Sequence, residues 1–160
     1  MESETTAADT NILILFMVIV FLYVVHNIII MSNPAPEKKT IMICDDERDL
    51  LQLFGLALGS KYNVILVESG ENCIEKYKEE IRRGNKIHLI LLDYKLDDMF
   101  GDSVARTIKE YNGTKIILIS AYDLDNTFVK ELEKKKYIVK YIEKPIELAN
   151  LIEIVASTIS

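Results

Sequence analysis

Hydrophobic and polar residues fall into two contrasting patterns along the chain. Residues 12–31 are almost entirely apolar, and only His26 and Asn27 interrupt this run with clearly polar side chains. From Thr40 onward, short apolar runs alternate with segments in which apolar residues recur every three or four positions. This alternation is typical of a parallel sheet covered by helices on both faces. The chain therefore predicts an apolar N-terminal helix followed by a separate α/β domain.

The apolar run has the length of a membrane span. Twenty helical residues extend about 30 Å, the thickness of the hydrocarbon core of a bilayer. A signal peptide is disfavoured because acidic residues precede the run and no Lys or Arg occurs before Lys38. Lys38 and Lys39 follow the run, so the positive-inside rule predicts a single-pass protein whose C-terminal domain is cytoplasmic.

Two alternatives to a membrane anchor stay open. The uninterrupted part of the run, Ile12 to Val25, is also short enough for a buried or interfacial helix. Translation from Met31 would instead give a cytoplasmic, soluble protein. With the anchor, the predicted organisation is an acidic leader (1–11), a transmembrane helix (12–31), a linker (32–39) that Pro34 and Pro36 keep extended, and a domain (40–160).

The domain predicts a doubly wound, five-stranded parallel sheet. The expected strands are Thr40–Cys44, Asn63–Val67, Ile87–Leu92, Lys115–Ile119 and Tyr137–Ile142. Five helices are expected between and after them, with these apolar stripes: Leu50, Leu53, Phe54 and Ala57; Ile74, Tyr77 and Ile81; Val104, Ile108 and Tyr111; Leu124, Phe128 and Leu132; Leu148, Leu151, Ile152, Val155 and Ile159.

Composition narrows the function. The 160 residues include 25 Asp and Glu against 19 Lys and Arg, which gives a net charge of −6. This balance disfavours nucleic acid as a direct partner, because such binding starts from a basic face that neutralises phosphates. Cys44 and Cys73 have apolar neighbours and are too few for a disulfide framework. They are expected to be buried thiols in a reducing compartment, with a disulfide between them as the lesser alternative.

The candidate chemistry lies at the carboxyl ends of the predicted strands, where ligands bind in doubly wound sheets. Asp45 and Asp46 follow the first strand, Asp93 the third, and Ser120 the fourth, while Lys144 lies beyond the fifth. Carboxylates packed together repel unless a cation neutralises them, and Mg²⁺ suits such oxygen ligands. Asp93 could then attack a phosphoryl group whose oxygens Lys144 neutralises and Ser120 hydrogen-bonds.

These residues carry a family resemblance. Residues 40 to 160 resemble the receiver domain of two-component response regulators, with a flavodoxin-like (βα)5 fold. The resemblance rests on four segments in order: Asp45-Asp46-Glu47 after an apolar strand, LILLDYKL around Asp93 with Gly101 eight residues later, IILISAY ending past Ser120, and YIEKPIEL around Lys144. A single acidic pair would be weak support, whereas all four segments at strand ends are specific.

The resemblance implies roles for the residues that match. Asp93 would be the phosphoacceptor and a magnesium ligand, Asp46 would hold Mg²⁺ directly, and Asp45 would assist through water. The backbone carbonyl of Lys95 would complete the protein's metal ligands. Lys144 would form the salt bridge to the phosphoryl group.

The resemblance also implies a conformational switch. The Ser120 hydroxyl would turn toward the phosphoryl group while the ring of Tyr141 moves inward, and the Lys144-Pro145 bond would be cis. Departures lie in loops: Asp97 stands where many relatives have proline, and Tyr137-Ile138 replace the usual Gly-Ala. Tyr122, two residues past Ser120, is hypothesised to hinder the attacking water and to prolong the phosphorylated state. His88 begins a strand and is expected to be structural.

The predicted function is that of a phosphorelay receiver rather than an enzyme. A histidine kinase or phosphotransfer protein would phosphorylate Asp93 with Mg²⁺. Because no output domain follows Ser160, the signal would pass through an unknown downstream protein, through a homodimer, or onward to another histidine protein. The alternatives are a receiver-like membrane scaffold that needs no phosphorylation, and an aspartyl phosphohydrolase. The second is disfavoured because Lys95 occupies the position of its usual acid.

Overall fold

The computed structural model describes residues 7–32, 38–111 and 114–160, with side chains in the first segment given for residues 11–29. The chain divides into two units, residues 1–37 and 38–160. Each unit is described by itself. Most of the predicted linker, including both of its prolines, and the first part of the acidic leader lie outside the described residues.

The first unit contains one helix, α1 (Ala7–Ser32), which is longer at both ends than the apolar run. Residues Asn11–Ile29 form a stretch long and apolar enough to cross a membrane, and none of these residues is buried. The polar side chain of Asn27 donates to the carbonyl oxygen of Tyr23 at 2.7 Å, one turn earlier. This bond satisfies an amide that hydrocarbon would otherwise leave unpaired. Length and composition fit a membrane span, and an N-terminal signal sequence has the same properties.

The second unit is a five-stranded parallel sheet with five helices, as predicted. Its elements are β1 (Thr40–Cys44), α2 (Arg48–Gly59), β2 (Asn63–Val67), α3 (Gly70–Arg82), β3 (Ile87–Asp93), α4 (Gly101–Lys109), β4 (Lys115–Ser120), α5 (Asn126–Lys134), β5 (Lys140–Glu143) and α6 (Leu148–Ile159). The strand order is β2-β1-β3-β4-β5. This is the doubly wound, flavodoxin-like architecture.

Apolar side chains fill both faces of the sheet. Successive residues of β1 alternate between the faces, so Ile41 and Ile43 pack on one core and Met42 and Cys44 on the other. Helices α2 and α6 cover the first face, and α3, α4 and α5 cover the second. Cys44 and Cys73 are both buried and free, which confirms the expectation of buried thiols.

The predicted start of the fifth strand is wrong. The strand begins at Lys140, three residues after Tyr137. Helix α5 ends in a Schellman motif, in which the amide of Tyr137 donates to Leu132 and that of Lys136 donates to Glu133. Lys136 takes the left-handed conformation of this motif with a φ of 59°. Tyr137 therefore belongs to the C-terminal cap of α5 rather than to β5.

Two helical stripes were also misplaced. In α2 the buried residues are Leu51, Phe54 and Leu58, whereas Leu53 is exposed. Leucines lie on nearly every side of this helix, so their spacing does not identify the buried side. Tyr111 is exposed because α4 ends at Lys109, before Tyr111 could extend its stripe.

The two ends of the second unit are tied together at the amino-terminal edge of the sheet. The side-chain amine of Lys39 donates to the carbonyl oxygen of Ile159. The imidazole Nδ1 of His88 accepts from the backbone amide of Thr40 at 3.0 Å. His88 thus holds β1 against β3, which confirms the structural role expected for it.

Candidate functional site

The strand ends bring the predicted acidic residues together. Strands β1 and β3 are neighbours, and Cys44 pairs with Leu92. Asp45 directly follows Cys44 and Asp93 directly follows Leu92, so the two aspartates lie side by side. They open into a cleft of about 360 Å³. Its lining residues are Asp45, Asp46, Glu47, Asp93, Lys95, Leu96, Asp97, Ala121, Tyr122 and Lys144.

Lys144 joins the two inner carboxylates. Its Nζ donates to Oδ1 of Asp93 at 2.6 Å and to Oδ2 of Asp45 at 2.8 Å. Burial alone would lower the pKa of Lys144, but the bonds to Asp45 and Asp93 outweigh it and raise the pKa. For Asp93, burial outweighs the Lys144 ion pair and raises the pKa above its ordinary value. Lys144 is thus held charged, and its positive charge offsets only part of the cost of burying the Asp93 carboxylate.

Backbone amides fix the second oxygen of each carboxylate. The amide of Lys95 donates to Oδ2 of Asp93 at 2.7 Å, and the amide of Glu47 donates to Oδ1 of Asp45 at 2.9 Å. Asp45 and Asp93 are buried, and no buried side-chain N or O in the described residues lacks a partner. Both carboxylates are therefore held in one orientation toward the cleft.

Asp46 lies at the rim of the cleft without a lysine or arginine partner in the described ion pairs. Burial, followed by repulsion from Asp97, raises the pKa of Asp46. Among described residues no group of three or more His, Cys, Asp or Glu side chains has the spacing of a metal site. Mg²⁺ needs only one or two carboxylates, with water and phosphate oxygens as further ligands. The donor set of Asp46, Asp93 and the Lys95 carbonyl fits that chemistry.

The two predicted switch residues meet at one backbone oxygen. The hydroxyl of Ser120 donates to the carbonyl of Tyr122 at 3.1 Å and accepts from the amide of Tyr122 at 2.9 Å. The hydroxyl of Tyr141 donates to the same carbonyl at 2.8 Å. Ser120 is buried and bonds its own turn rather than Asp93. The Lys144-Pro145 bond is cis, as expected.

Tyr122 and Lys95 form the outer wall of the cleft. The Nζ of Lys95 donates to the Tyr122 hydroxyl at 2.9 Å, and this bond raises the pKa of Lys95. The same Nζ is 5.2 Å from the ring centroid. The ammonium group therefore lies beside the hydroxyl rather than over the ring face. Both residues line the cleft that also contains Asp93.

Sequence reasoning missed the roles of two residues that build the site. Asp98 accepts from the amides of Gly70 and Glu71 at 2.9 and 2.8 Å, so it caps α3 and holds the loop after Asp93. Gly101 lies against the strand end, because a Cβ there would stand 2.3 Å from the carbonyl oxygen of Asp93. The Gly101 spacing was noted from the sequence, but its steric cause is visible only in three dimensions.

Comparison with known proteins identifies the family. The family model described as the response regulator receiver domain matches residues 41–156. This chain belongs to that family. The receiver domain shares 29% identity over 112 residues with the transcriptional regulatory protein ZraR of Escherichia coli (strain K12), covering 69% of this chain and 24% of ZraR. It shares 32% identity over 97 residues with the probable transcriptional regulatory protein NarL of Mycobacterium tuberculosis, covering 58% of this chain and 43% of NarL.

Solved receiver structures support the fold. A CheY-like receiver domain protein from Methanospirillum hungatei JF-1 has a TM-score of 0.68 at 23% identity, over 77% of this chain and 94% of its own. CheY in the CheX-CheY-BeF3-Mg²⁺ complex from Borrelia burgdorferi has a TM-score of 0.67 at 25% identity, over 76% of this chain and 90% of its own. Receiver domains of two-component systems bind Mg²⁺ at an acidic phosphorylation site and interact with histidine kinases and phosphotransfer proteins. They are generally cytoplasmic, and their fold is typical of non-enzymatic regulators.

Proposed function

We propose that this receiver accepts a phosphoryl group on Asp93 from a histidine kinase or a phosphotransfer protein. The observation that carries the proposal is the bridge from Lys144 to Asp93 and Asp45 at 2.6 and 2.8 Å. A lysine between two buried carboxylates at the end of parallel strands places a fixed positive charge where phosphoryl oxygens would arrive. The same cleft holds the acidic residues that would bind Mg²⁺.

The transfer exchanges one bond for another. A carboxylate oxygen of Asp93 attacks phosphorus, the N–P bond of the donor phosphohistidine breaks, and its electron pair returns to the imidazole nitrogen. The product is an acyl phosphate on Asp93. As the transfer proceeds, the ammonium group of Lys144 pairs partly with the phosphoryl oxygens instead of only with the Asp93 carboxylate. Asp46, Asp93 and the Lys95 carbonyl would hold Mg²⁺ with Asp45 assisting through water, and Mg²⁺ when bound supplies positive charge against carboxylate–phosphoryl repulsion.

The shared bond acceptor gives the signal a route to the surface. When the Ser120 hydroxyl turns toward the phosphoryl group, the Tyr122 carbonyl loses one of its two hydroxyl donors. Tyr141 then changes its packing beside β4, and the surface formed by α5 and β5 changes with it. Phosphorylation thereby shifts the population between two conformations rather than creating a new one.

The output follows from protein contacts. The changed surface would bind a downstream protein or a second copy of the domain, or Asp93 would pass its phosphoryl group to another histidine. The proposed organisation keeps the leader, the membrane helix at 12–31, the linker and the receiver at 40–160. Helix α1 would tether the receiver to the cytoplasmic side of a membrane, which raises its local concentration near membrane kinases.

The proposal is tested by intact-mass analysis of the full chain in detergent with Mg²⁺ and acetyl phosphate. The expected result is a single phosphoryl adduct that requires Mg²⁺ and disappears in Asp93→Asn. The matched control is Asp123→Asn, which removes an exposed acid outside the cleft and should keep the adduct. An adduct that persists in Asp93→Asn would assign the acceptor elsewhere. No adduct with either acetyl phosphate or a phosphorylated histidine donor would favour the scaffold alternative.

A further inference from the structure

The loops at the two edges of the sheet carry opposite charge. At the carboxyl-terminal edge, the loops are mainly acidic: Asp45, Asp46, Glu47, Glu68, Asp97, Asp98, Asp123, Asp125 and Glu147 stand against Lys95 and Lys144. At the amino-terminal edge, the described loop residues and the first residue of β4 are mainly basic: Lys38, Lys39, Lys61, Arg83, Lys86, Lys115, Lys135 and Lys136 stand against Glu110. Apart from the pair Lys38-Lys39 and the run of three lysines that contains Lys135 and Lys136, these basic residues are scattered along the sequence.

Helix ends explain only part of the basic edge. Arg83, Lys135 and Lys136 lie at the ends of α3 and α5, where cations stabilise the last carbonyl groups. The remaining lysines form what we call the lysine rim. Lys38 and Lys39 precede β1, Lys61 lies in the loop before β2, Lys86 precedes β3 and Lys115 begins β4.

Contacts gather the lysine rim on one surface. Lys39, Lys86 and Lys115 line one cleft of about 530 Å³ together with His88, Thr114 and Ile159. Lys38 donates to the carbonyl of Ser60 at 3.1 Å, next to Lys61. In the described residues none of these lysines forms an ion pair with a carboxylate. Lys38, Lys39 and Lys115 donate to backbone carbonyls instead. The surface therefore keeps its positive charge.

We infer that the lysine rim docks onto the anionic surface of the membrane that α1 spans, so that the acidic phosphorylation cleft points away from the bilayer. The inference rests on the proposed membrane insertion of α1. Only five residues join Ser32 to Lys38, and a chain of that length reaches no more than about 20 Å in any conformation. Each lysine close to a membrane surface increases the affinity for anionic lipid about fivefold, and this gain falls as the salt concentration rises.

The test places a fluorophore at each edge of the sheet in the full chain. Ser60→Cys carries the fluorophore at the lysine rim and Asp123→Cys at the acidic edge, while the native thiols are buried. Each labelled protein is reconstituted in nanodiscs of phosphatidylcholine alone or with one-third phosphatidylglycerol, containing a headgroup nitroxide quencher. We expect the probe at Ser60→Cys to be quenched in anionic discs and this quenching to be reversed by about 0.5 M salt. The probe at Asp123→Cys should show no such change.

Charge variants separate docking from proximity. Lys61→Gln with Lys86→Gln should weaken docking about 30-fold and abolish the lipid-dependent quenching. The control, Arg48→Gln with Lys130→Gln, removes the same charge from exposed positions outside the rim and should keep it. Equal quenching in neutral and anionic discs, or quenching unchanged by the rim variant, would overturn the inference.

Extraction at high pH distinguishes the two proposals. Release of the chain from vesicles by alkaline carbonate would remove the anchor proposal, and the quenching measured in nanodiscs would still decide whether the lysine rim binds anionic lipid. Retention of the chain without lipid-dependent quenching would keep the anchor and reject the docking.

Discussion

Tyr122 connects the cleft with the switch at the level of a single residue. Its hydroxyl accepts from Lys95 at the cleft, while its carbonyl accepts from Ser120 and Tyr141 beneath the surface. Tyr122 is 49% exposed and lines the same cleft as Asp93. Tyr122 can therefore affect the phosphoryl lifetime through its side chain and the switch through its backbone.

We expect Tyr122→Ala to shorten the phosphoryl lifetime. Loss of the ring opens the cleft to water, and a change of about tenfold in rate would correspond to about 1.4 kcal/mol of barrier. The measurement is the decay of the Asp93 adduct by intact mass. Tyr122→Phe keeps the ring and should decay at nearly the native rate, and Tyr111→Ala removes an exposed tyrosine elsewhere. Equal rates for Tyr122→Ala and the native chain would show that the ring gives no protection.

Gly101 allows helix α4 to approach the end of β3. In Gly101→Ala, the new Cβ would meet the backbone oxygen of Asp93 at 2.3 Å, so the strand end or the helix must move. We expect the free energy of unfolding to fall by about 2 kcal/mol and phosphorylation of Asp93 to slow. Gly59→Ala is the control, because nothing lies within 4 Å of the added Cβ. Urea denaturation measures the free energy of unfolding of both variants. Equal losses would show that the added Cβ at Gly101 meets no steric obstacle.

At the level of elements, Asp98 couples the loop after β3 to the N-terminus of α3. Partial burial would raise the pKa of Asp98, but the backbone amides of Glu71 and Gly70 outweigh it and lower the pKa. A carboxyl group with a lowered pKa in the folded state stabilises the fold above its ordinary pKa, and that contribution is lost as the pH falls below about 3.8.

We therefore expect Asp98→Asn to cost about 0.5 to 1 kcal/mol at pH 7, a small value because the side chain is exposed. The difference from the native chain should shrink as the pH falls toward and below 3.8. Urea denaturation across this range, with Asp123→Asn as an exposed control, measures it. A difference that stays constant with pH would assign the effect to shape rather than charge.

The end of α5 suggests a stabilising substitution. Lys136 occupies the left-handed position of the Schellman motif, whereas the corresponding position after α3 is Gly84 with a φ of 79°. Glycine adopts this conformation without steric cost. Lys136→Gly should raise the free energy of unfolding by about 1 kcal/mol, and Gly84→Ala should lower it by a similar amount. Thermal denaturation of both variants checks the pair; a destabilised Lys136→Gly would contradict it.

The same helix end shows where sequence reasoning succeeds and where it stops. Strands β1 and β2 were predicted with their observed bounds, because buried parallel strands are short apolar runs between polar turns. The run before β5 looks equally apolar, but Tyr137 donates to Leu132 and completes the helix. Their positions at strand ends predicted that Asp45, Asp46 and Lys144 would lie near Asp93, and all of them line one cleft. The bridge through Lys144, the cap by Asp98 and the steric role of Gly101 depend on contacts between distant segments.

At the scale of the whole molecule, the proposed membrane anchor α1 would decide where the receiver acts. Val20 lies near the middle of the apolar helix. We expect Val20→Arg to reduce membrane integration, because a central arginine costs about 2.5 to 3.5 kcal/mol on insertion scales. Alkaline extraction of cell membranes, with Val20→Leu as the control, measures the retained fraction. Equal retention of the arginine variant would favour an interfacial helix, and mass analysis of the native N-terminus decides between starts at Met1 and Met31.

The tie between Lys39 and Ile159 has a consequence for protein engineering. The start of β1 and the end of α6 lie beside one another, so the two termini of the receiver unit are close together. A short linker from Ser160 back to Lys38 could close it, and new termini could then be cut into an exposed turn elsewhere. The receiver could likewise be inserted into a surface loop of a host protein, which would hold it at both ends and leave Asp93 facing solution.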